Sequence, residues 1–189
     1  MDITEKQWHL KKGVELLKKA GVKSGSKILE FGSGSGRYTI PLGIAAGKEG
    51  FVYAVDTDKE KRKIIKEKIK EYNVSNVKII DNKWSIKFDY KESSFDCVVF
   101  YDILHSFDLK KRKSIYGKTL KILKDDGIMT LFPKHTIKDF PACYYAGMEV
   151  EEVIDEALEA GFVLYRKITA LLSHDEEYIK GTLYTFKKA

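Results

Sequence analysis

The stretch from Ile28 to Thr39, read as ILEFGSGSGRYT, constrains this chain more than any other. Ile28 and Leu29 close a short apolar run, and Glu30 sets a carboxylate at its tip. Gly32, Ser33, Gly34, Ser35 and Gly36 form a loop, and helix-compatible residues follow. Pro41 is tolerated there because it falls in the first turn. A strand that runs through a glycine loop into a helix makes an anion and nucleoside site. Glycines let the backbone approach a ligand, and the first amides of the helix point out unpaired.

The spacing narrows the ligand. A dinucleotide loop reads G-x-G-x-x-G, yet the third glycine is replaced by Arg37 or by Thr39, depending on where the count starts. A phosphate loop fails as well. Gly43 to Lys48 contains a Gly-Lys pair, but Glu49 stands where Ser or Thr should hold magnesium. A glycine loop also makes a tight turn with no ligand, so the rest of the chain has to decide.

The 189 residues suit one domain with a good core. Hydrophobic residues make up 43% and charged residues 33%, which excludes a disordered chain. No apolar run reaches the ~18 residues of a membrane helix, and MDITEKQWHLKKG lacks an apolar secretory core. Cys97 and Cys143 give neither a disulfide framework nor a zinc pattern, so a reducing cytoplasm is expected. Net charge is +6, but only Arg37, Arg62, Arg112 and Arg166 among the 34 basic residues are arginine. Arginine is the preferred fork for phosphates and base edges, so the lysines read as a solvated surface rather than a nucleic-acid face.

Taken in order, Glu5 to Ala20 reads as an amphipathic helix with Leu10, Val14 and Leu17 in line. Strands are expected at Lys27 to Phe31, Phe51 to Val55, Val77 to Ile80, Phe95 to Phe100, Ile128 to Phe132, Phe162 to Ile168 and Gly181 to Phe186. Helices fall between them from about Tyr38, Lys59, Leu109 and Glu149. Trp84, Ile86 and Phe88 anchor a polar segment, and Ser173 to Lys180 reads as a loop or short helix. Strands alternating with helices give an α/β fold with a mainly parallel, doubly wound sheet in a single domain, residues 1–189.

The loop reads E-x-G-x-G-x-G, and SSFDCVVFYDILHS spans Ser93 to Ser106. With Tyr53 to Asp58, these stretches resemble the class I S-adenosylmethionine-dependent methyltransferases, in particular the small-molecule enzymes akin to those of ubiquinone biosynthesis. The resemblance covers nearly the whole chain. It implies a seven-stranded sheet whose last strand is antiparallel, S-adenosylmethionine as cofactor and a small-molecule methyl acceptor. The Asn/Asp-Pro-Pro-Tyr motif of many nucleic-acid amino methyltransferases is absent after the fourth strand, where Tyr101-Asp102-Ile103-Leu104 stands.

Ligands of open α/β sheets bind past the carboxyl ends of the strands. The cofactor candidates are therefore Glu30, Gly32, Ser33, Gly34, Gly36, Asp56, Thr57, Asp81, Asn82 and Tyr101. Glu30 suits the ammonium and sulfonium, Asp56 the ribose hydroxyls, and Asp81, or alternatively Asn82, the adenine amino group. Asp58 suits the cap of the next helix. His105 and His135 are the catalytic candidates, with Lys134 beside them. His105 matches the first of the family's paired histidines, but Ser106 replaces the second. His9, His105, His135 and His174 share no i,i+4 spacing, so no metal is expected. Arg37 receives no role. Residues 133–148 hold Phe140, Pro141, Cys143, Tyr144, Tyr145 and Met148, a surface fit for an acceptor pocket or a dimer contact. Residues 1–22 supply a helix in which Trp8 and His9 are placed to act as a lid.

Overall fold

A computed structural model describes residues 3–81 and 90–189. Asn82, Trp84, Ile86 and Phe88 lie outside the described residues. The chain opens with α1 (Glu5–Gln7), a π-helical turn (Trp8–Lys12) and α2 (Gly13–Ala20). The elements β1 (Lys27–Phe31), α3 (Thr39–Ala46), β2 (Phe51–Asp56), α4 (Lys59–Glu71), β3 (Val77–Asp81) and β4 (Phe95–Tyr101) follow. The rest is α5 (Leu109–Ile122), β5 (Leu123–Phe132), α6 (Val150–Glu159), β6 (Phe162–His174) and β7 (Glu177–Lys188).

The local causes are legible. Thr4 accepts from the Gln7 amide while Gln7 reaches back to Thr4, a capping box that starts the first helix. Gly21 ends it at φ +115°. The π-helical turn corrects one expectation. It inserts extra backbone, so the 3.6-residue phase breaks and Leu10 turns outward, 45% exposed. Trp8, Val14 and Leu17 take the buried face instead. Asp58 accepts from the amides of Glu60 and Lys61 and caps α4.

All seven strands form one sheet in the order β3-β2-β1-β4-β5-β7-β6. The strands β1 to β5 pair in parallel, and β7 runs antiparallel to both β5 and β6. β4 is buried along both faces, as its continuous apolar run requires. Leu29, Val98, Phe100, Met129 and Phe186 belong to one core layer, while Ile28, Val52, Cys97, Val99 and Leu183 belong to the other. Between Phe95↔Leu123 and Cys97↔Ile128 the register slips, so Asp125-Asp126-Gly127 forms a bulge within β5, which starts earlier than the expected Ile128.

The largest departure is the final hairpin. Ser173 to Lys180 is neither loop nor helix, because pairing continues out to His174↔Glu177 and leaves only Asp175 and Glu176 at the turn. β5 pairs with β7 only over Ile128 to Leu131. The hairpin therefore runs beyond β5, with Leu172 and Ser173 buried and Tyr178 and Ile179 packed against the core layer that holds Trp8.

Candidate functional site

The order of the sheet reverses between β1 and β4, which are neighbours whose successors run off to opposite sides. At the carboxyl ends of β1, β2 and β4 lies a cavity of about 340 Å³, lined by Phe31, Gly32, Gly34, Val55, Asp56, Thr57, Asp58, Lys61 and Ile103. A smaller cavity lies at the opposite, amino ends of the strands, lined by Lys23, Lys124, Arg166 and Lys187 among others. Ligands of this sheet type use the carboxyl ends.

Two glycines shape the site. Gly32 sits at φ +80°, and a Cβ there would stand 2.6 Å from Cγ1 of Ile103. Gly34 sits at φ +52° with nothing within 4 Å of where its Cβ would be, so it faces open space on the cavity wall. The amides of the loop, however, serve the protein itself. Gly32 and Ser33 donate to the Val55 carbonyl at 2.9 and 3.0 Å. Gly34 donates to Oδ2 of Asp56 at 2.7 Å, and Gly36 to the Ser33 carbonyl at 3.0 Å. Asp56 thus gathers the loop onto β2, and its Oδ1 also accepts from the Asp58 amide at 2.8 Å. Each carboxylate oxygen keeps a further lone pair for a ligand hydroxyl.

The other expected cofactor residues divide. Thr57 lines the cavity. Glu30 is buried behind the loop, where its Oε2 accepts from the Thr39 hydroxyl at 2.6 Å. Burial pushes its carboxyl up to about 8, against the pull of that hydrogen bond, and the Asp56 charge adds to the rise. Ser33 is buried with its hydroxyl unpaired. Tyr101 is buried with its hydroxyl 3.1 Å from that of Thr130, and Asp81 pairs with Arg62 at 3.0 Å. Neither side chain belongs to the cavity wall.

One residue before Ile103, the fold assembles a group that sequence spacing could not show. His105 Nδ1 and His135 Nε2 each stand 3.4 Å from Oδ1 of Asp102, and His174 Nε2 stands 3.1 Å from Oδ2. The rings of His105 and His135 lie edge to face at 4.4 Å, and those of His135 and His174 at 5.4 Å. Three loops deliver these side chains, after β4, after β5 and at the tip of the β6–β7 hairpin. Asp102 and His135 occupy left-handed backbone at φ +53° and +67°. Burial pushes the Asp102 carboxyl above the usual range. Burial lowers His105 to about 4, and it lowers His174 as well, so both rings are neutral at pH 7. Sequence reading singled out His105 and His135, placed Asp102 in a candidate stretch without a role of its own, and passed over His174. The only available sign was the placement of Asp102 just past a central strand.

Arg37, expected to have no role, is a structural tie. Its Nε donates to the Ser173 hydroxyl at 2.7 Å, and its guanidinium lies 5.0 Å from the Tyr178 ring centre. Its carbonyl accepts from Nε1 of Trp8 at 2.7 Å. Trp8 and His9 are fully buried, so the first helix sits closed against the glycine loop. In residues 133–148, Tyr145 is buried but Phe140 and Tyr144 are 77% and 58% exposed. That segment is a mixed surface rather than a closed aromatic pocket. Lys134 is buried and paired with Asp139.

Residues 28–127 match the methyltransferase domain family. A probable cobalt-precorrin-6B C(15)-methyltransferase (decarboxylating) of Sulfurisphaera tokodaii is 30% identical over 82 residues, covering 43% of this chain and 43% of that protein. The demethylmenaquinone methyltransferase of Geobacillus sp. is 32% identical over 90 residues, covering 48% of this chain and 38% of that protein. The chain therefore matches less than half the length of these curated relatives. Among solved structures, a SAM-dependent methyltransferase from Aquifex aeolicus aligns with a TM-score of 0.71 at 21% identity, covering 95% of this chain and 92% of that one. With just over half of its length matched by the family and a seven-stranded sheet closed by an antiparallel strand, the chain belongs to the methyltransferase domain family and has the class I methyltransferase fold.

Proposed function

We propose that this chain binds S-adenosylmethionine in the crevice between β1 and β4 and transfers its methyl group to a small-molecule acceptor. The observation that carries the reading is the joint placement of the open Gly34 position and the Asp56 carboxylate on one cavity wall at the switch point. A side chain at Gly34 would fill that space, and a ribose needs a paired acceptor at the end of the second strand. Two of the curated relatives are named for small molecules, cobalt-precorrin-6B and demethylmenaquinone, while another is named a protein-L-isoaspartate O-methyltransferase.

The cofactor, when bound, supplies a methyl group on a sulfonium, which leaves as a neutral thioether. The chain's own residues then have modest tasks. Asp56 orients the nucleoside, while Phe31, Val55 and Ile103 exclude water beside it. Positioning supplies much of the rate, so no fixed base is required. His105 remains a candidate proton acceptor for an acceptor that arrives protonated, since its ring is neutral. Among the described residues no helix is long and apolar enough to cross a membrane, and both cysteines are free, which supports work in a reducing cytoplasm. The exposed Phe140 and Tyr144 suit either the acceptor or a second copy of the chain.

Calorimetry tests the reading. S-adenosylhomocysteine should bind with one site per chain, and NAD should not bind comparably. Tighter binding of NAD would overturn it.

A further inference from the structure

The ligand-capable atoms of Asp102, His135 and His174 all lie within 4.8 Å of one another. We propose that these three residues form a binding site for a divalent transition-metal ion of the zinc or cobalt type.

The distances agree with such an ion. Ligand atoms held about 2.1 Å from a common centre sit roughly 3.0–3.4 Å apart in octahedral or tetrahedral geometry. His135 Nε2 stands 3.4 Å from Oδ1 of Asp102 and His174 Nε2 3.1 Å from Oδ2, so the carboxylate turns one oxygen to each imidazole. The tautomer agrees too. Nδ1 of His135 lies 2.9 Å from the Phe140 carbonyl, which can only accept, so this nitrogen carries the hydrogen. In the neutral ring Nε2 then turns a lone pair towards Oδ1 of Asp102, which also has only lone pairs to offer. Two lone pairs at that distance are satisfied by a proton or by a metal cation between them. A histidine held through its other nitrogen by a backbone carbonyl is the usual support for a metal ligand.

Unpaired polar atoms mark the same point. Asp102 Oδ1, His174 Nε2 and His105 Nδ1 are buried without a hydrogen-bond partner. Each costs free energy unless something satisfies it. The two ligand-bearing residues in left-handed backbone, Asp102 and His135, hold a conformation that the surrounding structure must maintain, and such strain gathers at functional sites. His174 is held from behind, because both backbone groups of Ser173 bond to the Tyr38 hydroxyl. Two imidazoles and one carboxylate suit zinc, cobalt or iron(II) better than magnesium or calcium. Three protein ligands leave further coordination positions open.

The test uses the full chain without a polyhistidine tag, stripped with chelator and dialysed. Calorimetric titration with zinc, and cobalt titration followed by visible absorption, should give one ion per chain, with magnesium silent. Asp102→Asn keeps a residue that tolerates left-handed backbone, and His174→Gln keeps a polar side chain of similar size. Loss of a second-sphere partner already costs about 10- to 100-fold in metal affinity, so each variant should lose at least that much. Circular dichroism melts confirm that both variants fold. Absence of metal binding, or affinity unchanged in both folded variants, would overturn the proposal and leave a shared proton at the cluster. Binding of S-adenosylhomocysteine, measured on the same stripped protein, stands or falls separately.

Discussion

The Tyr38 hydroxyl donates to the Ser173 carbonyl at 2.9 Å and accepts from the Ser173 amide at 3.0 Å. One phenol therefore satisfies a whole peptide residue of the hairpin tip, at a buried point next to His174. Tyr38→Phe removes both bonds and leaves a buried N–H and C=O without partners. The expected cost is about 1–3 kcal/mol of stability, measured by urea melts. Cobalt affinity should fall with it, because the tip that carries His174 loosens. Full stability in the phenylalanine variant would mean that water replaces the phenol.

Asp56 and Asp58 separate ligand from scaffold. Asp56→Ala removes the acceptor proposed for the ribose and the observed acceptor of the Gly34 amide, so S-adenosylhomocysteine should weaken by roughly 10- to 100-fold. Asp58→Ala removes two cap hydrogen bonds at α4 and should cost about 1 kcal/mol of stability. If calorimetry finds the cofactor lost in the Asp58 variant and kept in the Asp56 variant, the two roles are reversed.

Gly34→Ala meets no protein atom within 4 Å, so steric conflict with the fold is absent. Its φ of +52° costs an alanine roughly 1–2 kcal/mol. The folded variant should nonetheless bind S-adenosylhomocysteine at least tenfold more weakly, since the methyl group would occupy the space proposed for the cofactor. Equal affinity in a folded variant would reduce the loop to a turn.

Glu30 predicts a pH signature. Its carboxyl titrates near 8 in the folded protein and near the ordinary 4.5 when unfolded. Between those values the unfolded chain has released the proton and the folded one has kept it, so stability falls as pH rises and levels off above about 8. Glu30→Gln keeps an acceptor for the Thr39 hydroxyl but cannot ionise. Melts of this variant should lack the decline that wild type shows across that window. Parallel profiles for the two proteins would place the titration elsewhere.

The alternation of strands and helices was legible because each buried strand is a short apolar run and each α-helix has a cap or a glycine stop. The crevice was legible because glycines cluster past one of those strands. What stayed hidden depends on contact between distant elements. Asp102 and His174 are 72 positions apart, and i,i+4 patterns report only neighbours on one helix. Ser173 to Lys180 reads as a loop because the segment is mostly polar, and its one fully buried residue, Ser173, is itself a polar side chain. Arg112 looked like part of a solvated lysine run, yet its Nε and Nη2 reach the two Glu156 carboxylate oxygens at 2.7 and 2.5 Å in the interior. Charge alone gives no sign that a partner waits 44 residues on.

The antiparallel strand between β5 and β6 has a consequence for the order of synthesis. A nascent chain emerges amino end first, so residues 28–132 can pair and stack while β7 is still being made. Throughout that interval β5, buried over Gly127 to Phe132 in the finished fold, is the unprotected margin of a growing sheet. Such a margin templates pairing with other chains until it is covered. Arrival of β7 ends that hazard, and the same hairpin carries His174 to Asp102. Protection from aggregation and assembly of the histidine cluster are thus one late event.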